Sequence, residues 1–304
     1  MLSKLQLLQT HNFTYNAIIT PADACIFQSN SPPILTVFSN VDGVSCYANC
    51  IVQILLNVPE FIEEINCQDK PGPVSSQLQQ LLIDIRNQQS PLCTLLLRCT
   101  VGEQYSQVEQ RDAYEFLQHL LNKLATENSQ IPDQIMGVEA NEERCVNCDN
   151  TSVTGHTPFM IMNLHFTTSE TTPVSFKKML EQWLPFDRKC HLCGSPMERR
   201  TVITASSKFL FLAFCIFHDQ NQKVIRPVTD FNENNITVGP NKFRTIAAVC
   251  HSGSTTNSGH YWCLLKKHNS WLYASDETLK IQKQFTKNLK DVYVILLEKI
   301  LYEE

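Results

Sequence analysis

Cys46 and His260 have the residue types and settings that a thiol hydrolase needs. Cys46 lies in D-G-V-S-C-Y-A-N-C, where a glycine-containing turn runs at once into an apolar stretch of helical character. A sulfur at a helix N-terminus meets the positive end of the macrodipole and unpaired backbone N–H groups. Both favour the thiolate, the form that attacks carbonyl carbon. The plain alternative is a small buried apolar residue, a common fate of free cysteine. His260 lies in H-S-G-S-T-T-N-S-G-H-Y-W-C, where a loop rich in glycine and serine enters a strand. At a strand mouth it can reach a sulfur far away in sequence, and imidazole suits proton shuttling near neutral pH. Alone, it would read as a surface loop histidine. His251 opens the same loop as a competitor, and Cys50, one helical turn after Cys46, is the local rival nucleophile.

A second constellation is C-V-N-C from Cys145 to Cys148 with C-H-L-C from Cys190 to Cys193. Two residues between cysteines let both thiolates face one ion from a tight turn, and two such turns complete a tetrahedral four-sulfur site. One pair alone could be a redox couple. Two in a strand-rich segment point to one structural zinc ion held by Cys145, Cys148, Cys190 and Cys193. Four thiolates leave no open coordination position, so that ion would hold structure and do no chemistry. His191 is then a bystander.

These residues need a scaffold, and 304 residues at 43% hydrophobic content can bury a substantial core. A net charge of −5 argues against a nucleic-acid partner and favours a basic one. The longest apolar run, Phe209 to Phe217, is of strand length and too short to cross a bilayer, so no membrane role is expected. The N-terminus M-L-S-K-L-Q-L-L-Q-T lacks a signal-peptide core. Thirteen cysteines, an odd number with paired spacings, therefore read as metal ligands and free thiols in a reducing compartment, cytoplasm or nucleus.

Residues 1–33 read as a polar appendage ending at Pro32-Pro33. Helices are expected over Cys46–Leu56, Ser76–Arg86 and Asp112–Leu124, with apolar residues at three- and four-residue spacing. From about Asp133 the pattern turns strand-like, with runs at 159–166, 201–205, 209–217, 245–251, 261–266 and 292–297. One helix, roughly Ser175–Trp183, interrupts them. The fold class expected is α+β, a helical lobe followed by a mostly antiparallel sheet.

Four ordered segments carry a family resemblance. D-G-V-S-C-Y-A-N-C-I-V-Q-I-L-L resembles the cysteine box of the ubiquitin-specific proteases, and Q-R-D-A-Y-E-F-L (Gln110 to Leu117) is similar to their second block. H-S-G-S-T-T-N-S-G-H-Y followed by W-L-Y-A-S-D resembles their histidine box, and the paired cysteines fall where their zinc-bearing fingers lie. The likeness spans about residues 34–298. It implies a papain-like architecture over 34–300, with a helical thumb (about 34–130), fingers (131–207) and a palm sheet (208–300). It also implies hydrolysis of the bond after the C-terminal glycine of ubiquitin, Cys46 attacking and His260 acting as base. Gln110 and Asp112 match positions near the ubiquitin tail, and Asp112 is equally an N-cap.

The sequence departs from the family at three points. Val41 stands where the family has an oxyanion-donating Asn, with Asn40 one residue earlier as a possible donor. Ser275 stands at the third triad position, with Asp276 next as the alternative. The strand F-L-A-F-C-I-F lacks the family's basic pair. Val41 and Ser275 keep a ubiquitin-binding pseudoprotease open as a rival reading, and a protease for another ubiquitin-like modifier is a second.

Overall fold

The computed structural model describes residues 36–301 apart from 167–172, 218–221, 225–226, 257, 287–288 and 290. The appendage expected over 1–33 lies outside the described residues. The chain divides into two compact units. One comprises residues up to Ile131 with Ala247–Phe285, and the other Pro132–Ile246 with the segment from Thr286 onward.

The first unit opens with helices α1 (Cys46–Leu55), α2 (Pro59–Cys67), α3 (Pro73–Arg86), α4 (Leu95–Val101) and α5 (Ala113–Thr126). Every residue of α1 is buried, as its nearly unbroken apolar sequence demands. In α5 the buried set is Ala113, Phe116, Leu117, Leu120, Leu121 and Leu124, one stripe at helical spacing. Proline occupies the first turn of α2 and of α3, where a missing N–H removes no helical bond.

After a short helix α6 (Ile131–Ile135), strands β1 (Gly137–Cys145), β2 (Thr151–Phe159), β3 (Ile161–Leu164) and β4 (Val174–Ser175) lead to helix α7 (Phe176–Glu181). Strands β5 (Leu184–Lys189), β6 (Pro196–Ser206), β7 (Phe209–Phe214), β8 (Val228–Thr229) and β9 (Ile236–Val238) follow. Strand β10 (Asn241–Thr255) carries the chain from the second unit back into the first. There β11 (Ser258–Lys267), β12 (Ser270–Ser275) and β13 (Thr278–Gln282) complete an antiparallel meander. Helix α1 packs against β11, β12 and α5.

In the second unit, β2-β1-β6-β5 form an antiparallel sheet. Beside it, β7 pairs antiparallel with β14 (Val292–Lys299) and parallel with β3. All six residues of β7 are buried, so it reads as an apolar run rather than an alternation. The α+β class and the dominance of antiparallel pairing agree with the sequence. The single expected run 159–166 divides at Met160, where β2 ends and β3 begins.

Candidate active site

The loop leading into α1 is a turn closed by Gly43 N–H donating to the Asn40 carbonyl at 2.9 Å, with Gly43 at φ +70°. Glycine takes that left-handed conformation without a Cβ penalty. Asp42 accepts from Val44 N–H at 3.2 Å and from the Ser45 hydroxyl at 2.8 Å. Into this loop α4 inserts Arg98, whose side chain is fully buried. Its guanidinium pairs with Asp42 and donates to Ser45 Oγ (2.6 Å), Tyr47 Oη (2.9 Å) and the carbonyls of Tyr105 (3.1 Å) and Gln107 (3.0 Å). Burial pushes the Asp42 carboxyl up, yet Arg98, Ser45 and the Val44 N–H together hold it below the ordinary carboxylate value.

Cys46 is the first residue of α1 and is 2% exposed. The backbone N–H groups of Tyr261, Tyr47 and Cys46 itself are directed at its sulfur, and Gln110 Nε2 lies 4.0 Å away. A lowered thiol was the expectation for a helix N-terminus. Instead, burial pushes Cys46 up to about 11, and the Asp276 carboxylate adds to the rise. Desolvating a thiolate costs more here than the N–H groups return, which favours the thiol.

His260 sits near the start of β11, and its Nε2 is 2.7 Å from Ser275 Oγ at the end of β12. Asp276 follows in the turn at φ +46°. Its carboxylate accepts from Asn49 Nδ2 at 2.8 Å and from Asn40 Nδ2 at 2.9 Å. Burial raises the Asp276 carboxyl, opposed by those two amides and by attraction to His260. Asn40 is engaged at both ends, since its Oδ1 accepts from Ser45 N–H at 2.7 Å. Val41 is 43% exposed.

His251 is buried with its ring centroid 4.4 Å from that of Tyr261. A Cβ on Gly259 would sit 1.8 Å from the Ser252 carbonyl and 2.6 Å from His251 Nε2, so glycine is required immediately before His260. Gln110 Nε2 also donates to the Gly259 carbonyl at 3.1 Å. Asp112 caps α5, accepting from Tyr114 N–H at 2.7 Å and Glu115 N–H at 3.2 Å. Cys50 is buried beside Cys263, and burial pushes its thiol well up.

Sequence reasoning did not single out Asp42, Arg98 or Asn49. The available signals were a lone cation in the apolar L-L-L-R-C-T-V, and a polar residue three positions after Cys46 in an otherwise apolar helix.

In the second unit, the sulfurs of Cys145, Cys148, Cys190 and Cys193 lie within 4.8 Å of one another. Closest pairs are Cys145–Cys193 at 3.4 Å, Cys148–Cys193 at 3.5 Å and Cys148–Cys190 at 3.7 Å. A tetrahedral zinc with Zn–S of about 2.3 Å has sulfur–sulfur edges of about 3.8 Å, so the donor set fits a metal ion. Strand β1 delivers the first knuckle, and the β5–β6 connection the second. Gly194, at φ +71°, closes that turn by donating to the Cys190 carbonyl at 2.8 Å. Phe186 and Met197 pack on Cys145 and Cys190. Among the described residues, no helix is long and apolar enough to cross a membrane.

Residues 39–297 match the family model described as ubiquitin carboxyl-terminal hydrolase. Ubiquitin carboxyl-terminal hydrolase 4 of Arabidopsis thaliana is 20% identical, over 85% of this chain and 92% of its own length. Ubiquitin carboxyl-terminal hydrolase 12 of Salmo salar is 21% identical, over 84% and 87%. The mouse ubiquitin carboxyl-terminal hydrolase 17-like protein B is 23% identical over 78% of this chain, which spans 58% of that relative. Among solved structures, the SAGA DUB module of Ubp8 with Sgf11, Sus1 and Sgf73, bound to monoubiquitin, superposes with a TM-score of 0.74 at 18% identity. That match covers 99% of this chain and 74% of the other, a likeness of fold.

Proposed function

The chain belongs to the ubiquitin carboxyl-terminal hydrolase family of cysteine deubiquitinating hydrolases, and from that premise we propose that it cleaves the isopeptide or peptide bond after the C-terminal glycine of ubiquitin. Cys46 is the nucleophile and His260 the base. With Nε2–H donating to Ser275 Oγ, Nδ1 is the nitrogen that takes the proton from the thiol. Sulfur then bonds to the carbonyl carbon, and the carbonyl electron pair moves to oxygen. Collapse expels the lysine amine, which takes the proton from His260, and water later releases ubiquitin from the thioester.

Burial raises the Cys46 thiol, which suits a role for His260 as the general base that takes its proton during attack. Ser275 orients the imidazole, and the Asp276 carboxylate supplies negative charge near the imidazolium, held in place by Asn40 and Asn49. Gln110 and Asp112 border the path of the substrate tail. The observation that carries this reading is the direction of the Tyr261 N–H at the Cys46 sulfur while its neighbour His260 is held by Ser275.

The four cysteines hold one structural zinc, whose bound ion would cross-link the two knuckles. Residues 34–130 serve as thumb, 131–207 as fingers and 208–300 as palm, with 1–33 appended. Free thiols and the zinc set suit an intracellular setting, cytoplasm or nucleus. Ubiquitin and ubiquitinated proteins are the partners.

The test is turnover of ubiquitin bearing a fluorogenic amide at its C-terminus. Cys46→Ala and His260→Ala should each lower it by at least about 10³-fold with ubiquitin binding retained. Binding without turnover by the wild type would make the protein a pseudoprotease. Faster cleavage of another modifier would reassign the substrate.

A further inference from the structure

We propose that Gln110 is a catalytic oxyanion donor, forming with the Cys46 backbone N–H the hole that receives the carbonyl oxygen during attack. The inference rests on the deubiquitinase reading and adds to it the source of the oxyanion hydrogen bonds. In the attack the thiol proton goes to His260, sulfur bonds to carbon, and the carbonyl pair becomes an oxyanion two bonds from the sulfur. Gln110 Nε2 lies 4.0 Å from that sulfur, within range for a hydrogen bond of about 2.7–3.1 Å to the developing charge. Its amide nitrogen carries two hydrogens. One is donated to the Gly259 carbonyl at 3.1 Å, which fixes the amide plane beside the base; the other remains for the oxygen. The Cys46 N–H belongs to the first turn of α1, where no helical acceptor exists, and supplies the second donor.

The two neighbouring asparagine amides are directed at Asp276: Asn40 Nδ2 donates to its carboxylate while Asn40 Oδ1 accepts from Ser45 N–H, and Asn49 Nδ2 donates to the same carboxylate and to the Ser39 carbonyl. Residue 41, which could have carried an amide, is Val.

A residue that merely grips the ubiquitin tail would act on KM, whereas an oxyanion donor acts on kcat. The experiment compares wild type, Gln110→Ala and the isosteric Gln110→Glu with the fluorogenic ubiquitin substrate. It also uses a ubiquitin C-terminal aldehyde, which forms a tetrahedral adduct with a thiol. Gln110 is only half-buried, and thermal melting verifies that the variants fold. Gln110→Ala should lower kcat about 100-fold with KM within about twofold, and Gln110→Glu should be at least as impaired. Aldehyde affinity should fall by a similar factor while free ubiquitin binds as before. A kcat within about threefold of wild type, or a loss confined to KM, would overturn the assignment and leave the parent reading standing. A wild type with no turnover would overturn both.

Discussion

Ser275 contacts His260 through a hydroxyl, and the charge resides on its neighbour Asp276. The hydroxyl can fix the His260 tautomer at 2.7 Å but cannot balance an imidazolium. Ser275→Ala should therefore lower turnover about tenfold, about 1.4 kcal/mol of barrier. Asp276→Ala should do more, since it removes the charge and the acceptor of the Asn40 and Asn49 amides. An inactive Asp276→Ala beside an unaffected Ser275→Ala would make Asp276 the orienting group. The raised Cys46 thiol has its own signature. Burial pushes it from the ordinary 9.0 up to about 11, so the thiolate fraction keeps growing through and beyond that range. Iodoacetamide labelling of Cys46 in the free protein should climb through that window; a plateau below neutral pH would indicate a standing thiolate. The placement of Cys46 at a helix start and of His260 near a strand start was legible because each sits in a local signal, a glycine turn before a helix and a glycine loop before a strand. Asn49 and Arg98 were not, because their roles arise only where distant elements meet.

At the scale of elements, α4 acts on the loop before Cys46 through Arg98. Removing that cation leaves Asp42 largely buried without its counter-charge, so Arg98→Ala should destabilise the fold by about 3–5 kcal/mol in denaturant unfolding. Asp42 is depressed in the folded state. The stability it contributes is therefore present above its ordinary 3.8 and lost as pH falls through the lower folded value. Asp42→Asn should flatten that acid-side loss. A variant as pH-sensitive as the wild type would show that the pair does not govern it. Helices α3 and α5 were legible from their apolar spacing. Strand β2, T-S-V-T-G-H-T-P-F, was not, because all but its last residue are exposed and no alternation arises. In β1 a register shift between Glu139 and Asn141 breaks the alternation. Its Glu143 side chain is 2% exposed, paired with Arg188 and Arg199, so a charged residue sits inside where the pattern rule expects an apolar one.

For the whole molecule, Cys46 and His260 lie within one compact unit and the four-cysteine group within the other. Structural zinc contributes on the order of 10 kcal/mol in small modules, so Cys190→Ser should abolish stoichiometric zinc and lower the melting temperature sharply. Wild-type melting in a zinc-free Cys190→Ser protein would contradict a structural ion. If the fingers serve ubiquitin rather than the thiol, that variant should lose ubiquitin turnover while iodoacetamide still labels Cys46. The central claim is that Cys46, raised by burial and served by His260, attacks the ubiquitin C-terminus. Mass spectrometry of the full-length protein treated with a ubiquitin bearing a C-terminal thiol-reactive group tests it most directly. The expected result is one ubiquitin joined to Cys46 in the wild type, with none in Cys46→Ala and strongly slowed joining in His260→Ala. An adduct on Cys50, or a wild type that binds ubiquitin and forms no adduct, would contradict it.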